Sequence, residues 1–287
     1  MSPAWTIRSL LGWMTQDFSA AGLSTPRLDA EVLVAHALGC DRVRLYMDLD
    51  RPLTPEELAS VRGLVQRRRK REPVAYIVGQ REFYRRAFQT TAAVLIPRPD
   101  TETLVERALA LLPEGEDRRA LDLCTGSGAI AVTLAAERPR LRVDATDLSA
   151  AALAVAAANA QQHCVADRVQ CLQGDLFEAL PEPALYDLVV SNPPYIAQRE
   201  WESLAPEITQ HEPRMALLAG DDGLSVLDRL CAHVESWLAP SASVLLEVGQ
   251  GQAELVAERL RQRPALGEVR THRDLGGVLR VVEARRV

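Results

Sequence analysis

The stretch Ala120-Leu121-Asp122-Leu123-Cys124-Thr125-Gly126-Ser127-Gly128-Ala129-Ile130-Ala131 decides the fold. Apolar residues broken by a single acid read as a buried strand. The glycines after it let bare backbone turn sharply and approach a ligand, and the alanine-rich run beyond reads as a helix. Strand, glycine turn and helix in that order open a strand–helix–strand unit, and sheets built from such units bind ligands at the carboxyl ends of their strands.

Outward from that segment, a helix over 101–112 precedes the strand. Strands over 141–146, 169–173, 186–191 and 243–248 alternate with helices over 150–162, over 223–238 and from 252, and two closing strands flank Gly276-Gly277. This alternation predicts a mostly parallel sheet with helices on both faces, and the Gly-Gly turn an antiparallel edge pair. Upstream the pattern is helical: Ile7, Leu10, Leu11, Met14 and Phe18 share a face, and Thr25-Pro26 reads as a cap followed by a first-turn proline. A short helix follows near 43–47, and Thr54-Pro55-Glu56-Glu57 has capping-box spacing ahead of Leu58, Val61, Leu64 and Val65. Tyr76, Ile77, Phe83, Tyr84 and Phe88 suggest strands over 74–95. The predicted organisation is a helical domain over 1–73, a linker hairpin over 74–95 and an α/β domain over 96–287.

The 287 residues allow one large or two ordinary domains, and 47% apolar with 25% charged residues excludes collagen-like and disordered classes. No uncharged apolar run of about 18 residues and no signal-peptide pattern occur, so a cytoplasmic chain without a membrane span is expected. The five cysteines are an odd number without a C-x-x-C pair, which fits reduced thiols. His163-Cys164 near Cys171 lacks zinc-ligand spacing, and no metal is expected. Lys70 is the only lysine, which removes phosphate-loop and Schiff-base lysine enzymes. Charge is uneven: residues 1–90 hold 14 basic and 10 acidic groups, the remainder 19 and 29. The one basic run, Arg67-Arg68-Arg69-Lys70-Arg71, reads either as cations complementing a helix C-terminus or as a docking patch for an acidic protein or RNA.

Gly126-Ser127-Gly128-Ala129-Ile130-Ala131 fits the loose dinucleotide fingerprint, so this segment leaves NAD and S-adenosylmethionine both open. Two further acids end successive strands. Asp147 is placed to take ribose hydroxyls, and Asp175, with Leu176 and Phe177, to take an adenine amine with apolar residues against the ring. Asp122 can meet an ammonium group or fix the loop through water, and would repel a diphosphate. After the apolar strand Leu188-Val189-Val190 stands Asn192-Pro193-Pro194-Tyr195. The nitrogen of a planar amide or aryl amine is a poor nucleophile because its lone pair is delocalised. Two acceptors on its N–H bonds, the Asn192 side-chain oxygen and the Pro193 carbonyl, can turn that lone pair toward an electrophilic methyl group. The prolines stiffen the turn, and Tyr195 can pack on the planar substrate.

These residues resemble the HemK/PrmC group of protein-(glutamine-N5) methyltransferases, which modify bacterial class-I peptide chain release factors. Ile96-Pro97-Arg98-Pro99-Asp100-Thr101-Glu102 matches the family's I-P-R-P-D-T-E segment and Asp122 to Gly128 its glycine loop. Asn192 to Ile196 matches N-P-P-Y-I, and Glu212-Pro213 with Ala216-Leu217 matches E-P-x-x-A-L. The N-P-P-Y tetrapeptide is shared with nucleic-acid amino-methyltransferases; the first and last segments discriminate.

The resemblance implies a class I S-adenosylmethionine-dependent methyltransferase fold, with a Rossmann-like, mostly parallel seven-stranded sheet and a small N-terminal helical bundle that helps dock the release factor. It places the cofactor, whose product is S-adenosyl-L-homocysteine, at Cys124, Thr125, Gly126, Ser127, Gly128, Asp147, Leu176 and Asn192. It places the glutamine of a Gly-Gly-Gln tip at Asn192, Pro193, Pro194 and Tyr195. Leu176 stands where an aromatic can stack on adenine, and Arg85-Arg86 replace a glycine-containing turn. A monomer with no direct need for nucleic acid is expected. The rival readings are an amino-methyltransferase acting on a DNA or RNA base, which the acidic α/β portion disfavours, and a dinucleotide-dependent oxidoreductase, which leaves Asn192 to Tyr195 without a role.

Overall fold

The computed structural model describes residues 5–180 and 184–287, which divide into two compact units. One comprises the chain to Gly79 together with Ala205–His211; the other comprises Gln80–Leu204 and Glu212–Val287.

The first unit is helical: α1 Ile7–Ala20, α2 Pro26–Ala37, α3 Arg42–Met47, α4 Pro55–Arg69 and α5 Val74–Val78. Ile7, Leu10, Met14 and Phe18 form one buried stripe of α1 and pack with Leu33 and Val34 of α2 and Val61 and Val65 of α4. The expected capping box forms, Thr54 Oγ1 accepting from the Glu57 amide at 3.2 Å and Glu57 Oε2 from the Thr54 amide at 2.9 Å. Thr25 behaves differently: its hydroxyl donates to Asp29 Oδ1 at 2.7 Å rather than capping the helix backbone.

One sequence expectation is corrected in this unit, and one that stood open between two readings is narrowed. Val74–Val78 forms a helical turn and not a strand, because Ile77, with Val74 and Val78, packs into the bundle core and Gly79, at φ 78°, ends the turn in the left-handed conformation. The basic run is not a free docking surface. Arg67 pairs with Glu72 at 2.5 Å, Arg69 with Asp17, and Arg68, only 5% exposed, with Asp29 at 2.7 Å. Arg68 and Arg71 also share Glu207, which lies on the helix Pro206–His211, at 3.2 and 3.3 Å. These arginines hold the unit together, including the segment that returns to it from far along the chain.

The second unit begins with a hairpin, β1 Gln80–Phe83 and β2 Arg86–Gln89. Its turn residues Tyr84 and Arg85 both have positive φ, 47° and 60°, so non-glycine residues take the backbone conformation that glycine serves in such two-residue turns. Helix α6 Glu102–Leu111 and strands β3 Arg118–Leu123, β4 Leu141–Asp147, β5 Val169–Gln173, β6 Tyr186–Ser191, β7 Leu238–Glu247, β8 Leu266–Arg273 and β9 Leu279–Arg286 follow. They are interleaved with helices α7 Ala129–Glu137, α8 Ala150–Gln162, α10 Ser225–His233 and α11 Ala253–Arg261; α9, Pro206–His211, belongs to the first unit. The seven sheet strands run in the order β5-β4-β3-β6-β7-β9-β8. β5 to β7 pair in parallel, while β9 runs antiparallel to both β7 and β8. This is the mostly parallel sheet with an antiparallel edge that the alternation of elements anticipates.

Period-two alternation divides the core. Ala120, Leu188, Val190 and Leu245 face α6 and α7, whereas Leu121, Leu123, Val189, Val244 and Leu246 face α10 and α11. Helix α7, buried at every position from Ala129 to Ala135, supplies the apolar cover nearest the glycine loop. Among the described residues no helix is long and apolar enough to cross a membrane.

Removing the Arg68 guanidinium leaves the buried Asp29 carboxylate without its cation, while Glu207 keeps Arg71. Arg68→Ala is expected to destabilise the chain by about 3–5 kcal/mol in denaturant titration, whereas Lys70→Ala leaves stability within about 0.5 kcal/mol. Equal stabilities for the two variants would remove the structural role assigned to the run.

Candidate active site

At the carboxyl end of β3 the chain enters the glycine loop through Cys124, whose φ is 60°; Gly126 and Gly128 follow at 56° and 77°. A Cβ at Gly128 would stand 3.1 Å from the Ala156 Cβ, so a side chain there would press on the contact between the loop and α8, and its φ of 77° favours glycine as well. A Cβ at Gly126 would meet nothing within 4 Å: it would stand in the open space the loop borders.

Asp122 does not reach that space. It is fully buried and accepts from the Thr125 hydroxyl at 2.6 Å and from the Ala131 amide at 3.2 Å. It therefore fixes the loop directly, from beneath. Burial is the first cause that raises its pKa, to about 7, with Asp147 adding to it. Asp147 does reach the cavity and pins the loop from the side, Oδ2 accepting from the Gly126 amide and Oδ1 from the Ser149 amide, both at 2.9 Å.

The cavity holds about 310 Å³, the scale of a small organic ligand, and lies wholly within the second unit. Of the residues singled out from sequence, Cys124, Thr125, Gly126, Ser127, Asp147, Asp175, Leu176, Asn192 and Pro194 line it. Asp122, Gly128, Pro193 and Tyr195 do not. Asp175 is already paired with Arg229 of α10 at 2.9 Å. Leu176, at φ 53°, turns its side chain to the cavity, while Phe177 turns away and stacks on Trp237 with ring centroids 5.5 Å apart. The Cys124 thiol is held protonated, first by burial and then by Asp147 and Asp122, so it is no nucleophile at neutral pH.

The turn after β6 is secured at each end. Ser191 Oγ donates to the Leu123 carbonyl at 2.7 Å, and Asn192 Nδ2 donates to Thr101 Oγ1 at 3.1 Å. Gln252 Nε2 donates to the Tyr195 carbonyl at 2.9 Å, and the Tyr195 hydroxyl donates to Glu247 Oε1 at 3.4 Å. A Cβ at Gly223 would come within 2.4 Å of the Tyr195 carbonyl oxygen, so bare backbone is required there too.

Sequence reasoning missed several of these partners. Glu212, buried, accepts from Arg98 at 2.5 Å and from the Ile96 amide at 3.2 Å, which makes one wall of two segments 114 residues apart. Asn159, fully buried, donates to the Ser127 carbonyl at 2.8 Å and accepts from the Gln89 amide at 2.7 Å, tying loop, helix and hairpin together. Glu247 carried a usable signal, an acid at the carboxyl end of an apolar strand, the same position that singled out Asp147. His163, considered for a metal, instead meets the Ala87 carbonyl at 2.8 Å.

With this geometry in place, the relatives are informative. The PrmC N-terminal domain matches residues 9–79 and the Methyltransferase small domain residues 100–219. The release factor glutamine methyltransferase of Geobacter sulfurreducens is 43% identical over 98% of this chain and 97% of its own length. The chain belongs to the release factor glutamine methyltransferase family. The Bordetella pertussis member is 48% identical over 89% of this chain and 93% of its own. Among solved structures, a methyltransferase from Pyrococcus furiosus shares the fold at 16% identity, with a TM-score of 0.51 over 69% of this chain and 87% of that one.

The buried acid beneath the loop has a pH signature. Asp122 binds its proton up to about pH 7 when folded but only near 3.8 otherwise, so its contribution to stability is complete below about pH 4 and lost as pH rises through about 7. Asp122→Asn keeps the size and removes the titration. Urea titrations at about pH 5 and about pH 8 should show the wild type losing more stability between them than the variant does. Identical pH slopes would argue that this carboxyl ionises normally.

Proposed function

We propose that this protein methylates the side-chain amide nitrogen of the glutamine in the Gly-Gly-Gln motif of bacterial class-I peptide chain release factors, drawing the methyl group from S-adenosylmethionine. The observation that carries the reading is the tether on Asn192: its amide nitrogen is committed to Thr101, which leaves its oxygen as the free acceptor beside the cavity. The open space over Gly126 and the carboxylate of Asp147 beside it fit an elongated ligand that carries hydroxyls. S-adenosylmethionine supplies an electrophilic methyl group and leaves as S-adenosylhomocysteine.

The roles proposed for this chain's residues follow the motif pattern, and Cys124 to Ser127, Asp147, Asp175, Leu176, Asn192 and Pro194 at the cavity lining support them. The backbone from Cys124 to Gly128 cradles the ligand, Asp147 accepts from ribose hydroxyls, Asp175 from the adenine amine, and Leu176 packs on the ring. Asp122 acts from below by fixing the loop. Asn192 Oδ1 and the Pro193 carbonyl accept the two amide protons of the glutamine, and Tyr195 and Pro194 bound its planar face. As the nitrogen attacks it becomes positive, before giving up one proton to water, so acceptors fixed on its protons favour the transition state over the ground state. The helical unit helps dock the release factor.

Glutamine is favoured over a nucleic-acid base by the names of the full-length relatives and by the basic run, which is spent on carboxylates of its own unit. The reading extends to a cytoplasmic monomer that works without nucleic acid, in keeping with relatives named for a release factor.

Asn192→Ala is expected to lower turnover of purified release factor by on the order of 10²-fold while calorimetry still detects S-adenosylmethionine binding. Near-normal turnover would refute the role of Asn192. Label from the cofactor appearing in RNA and not in release factor would refute the substrate.

A further inference from the structure

Arg229 of α10 borders the cavity, yet no step of the proposed reaction uses it. Helix α10 has two stripes. Leu227, Leu230 and Cys231 are buried and fasten it to the sheet, whereas Val226 and Arg229, three positions apart and so on one face, line the cavity. Arg229 Nη2 donates to Asp175 Oδ2 at 2.9 Å, and among the described residues no other hydrogen bond engages that carboxylate. The two side chains are 47% and 39% exposed, and an ion pair so open to water adds little to the stability of a fold. Its effect is on the direction of the carboxylate.

A carboxylate accepts through both oxygens and donates through neither. With Oδ2 held by Arg229, Oδ1 is the oxygen left for a ligand. Leu176, which also lines the cavity, offers an aliphatic surface that packs on any flat ring alike, so the identity of a base has to be read at its polar edge. We infer that Arg229 is a positioning residue for cofactor recognition: by holding Asp175 Oδ2 it presents Oδ1 as a fixed acceptor, which selects a base carrying an exocyclic amine over one carrying a carbonyl at the same place. The inference deepens the proposed function and rests on its assignment of Asp175 to the adenine amine. An amine there makes a charge-assisted hydrogen bond; a carbonyl sets two acceptors face to face and leaves the carboxylate oxygen unpaired.

Without the guanidinium, Asp175 still accepts, but it is free to turn to water and has to be ordered each time a base binds. With it, that ordering is complete when the chain folds. The effect therefore falls on cofactor affinity and on the choice of base. Lysine at 229 keeps a cationic donor, whereas methionine keeps only the apolar stem.

The test is calorimetry on the full chain with S-adenosylhomocysteine and with S-inosylhomocysteine, which carries a carbonyl where the first has the amine. The wild type is expected to prefer the adenosine compound by at least about tenfold. Arg229→Met should reduce that preference to less than about threefold, Arg229→Lys should keep most of it, and Asp175→Ala should abolish it. In an Asp175→Ala background, Arg229→Met should change neither affinity by more than about twofold.

A wild-type preference retained by Arg229→Met, in a protein where Asp175→Ala loses it, would overturn the inference and leave the proposed function standing. Equal weakening of both compounds by Arg229→Met, or a full further loss on top of Asp175→Ala, would also overturn it, since each marks an effect on the cavity rather than on the carboxylate. A wild type that binds S-adenosylhomocysteine without preference would remove the role of Asp175 and that of Arg229 with it. Binding of neither S-adenosylmethionine nor S-adenosylhomocysteine by the wild type would remove the cofactor reading itself. If Arg229→Met has no cooperative thermal transition, Arg229→Ala decides by the same comparison.

Discussion

A carboxyl group buried beneath a bare backbone turn is the constraint on which the catalytic unit depends. Asp122 gathers the Thr125 hydroxyl and the Ala131 amide, and in doing so joins the end of β3 to the first turn of α7. The loop it fixes carries three consecutive demands on the backbone: left-handed φ at Cys124, Gly126 and Gly128. Such a path is costly unless its surroundings over-determine it, and here they do so from three sides: Asp122 below, Asp147 beside, and Asn159 behind through the Ser127 carbonyl. The cavity wall is therefore rigid before any ligand arrives, which is the condition for aligning two reacting atoms rather than merely holding them.

A second buried acid, Glu247, repeats the device at another strand end. Both acids lie at the carboxyl edge of the sheet, both are pushed by burial to about 7, and neither lines the cavity. The acids that do line it, Asp147 and Asp175, are partly exposed and already hold partners. Division of labour follows depth: half-buried carboxylates can meet a ligand, whereas fully buried ones shape the loops that meet it. An acid at a strand end is thus a weak indicator of ligand contact and a better indicator of which loop matters.

Arginine does the corresponding work in the helical unit. With a single lysine in the chain, nearly every cation is a planar guanidinium able to bridge two carboxylates, as Arg68 does between Asp29 and Glu207. That capacity lets a unit made largely of residues before 80 recruit Ala205–His211 from far along the chain. In the sequence the same arginines look like a solvated basic run, because a run of charge says nothing of where its counter-ions lie.

Local pattern alone determined a good deal about this protein. Alternating strand and helix signals set the parallel sheet and its antiparallel edge, the capping box at Thr54 and the glycine loop stand where their spacing puts them, and Asn192-Pro193-Pro194-Tyr195 forms the turn after β6 that brings Asn192 and Pro194 to the cavity. These are legible because each depends on residues a few positions apart. The tertiary structure decided what depends on distant partners: that Asp122 lies under the loop and not in the cavity, that Val74–Val78 coils although its residues favour strands, and that Arg98 with Glu212 makes one wall. It also decided that Thr101 takes the Asn192 amide nitrogen. A side chain's burial and the polarity of its hydrogen bonds are properties of the packed neighbourhood, and only the folded chain brings position 101 to 192 and position 247 to 195.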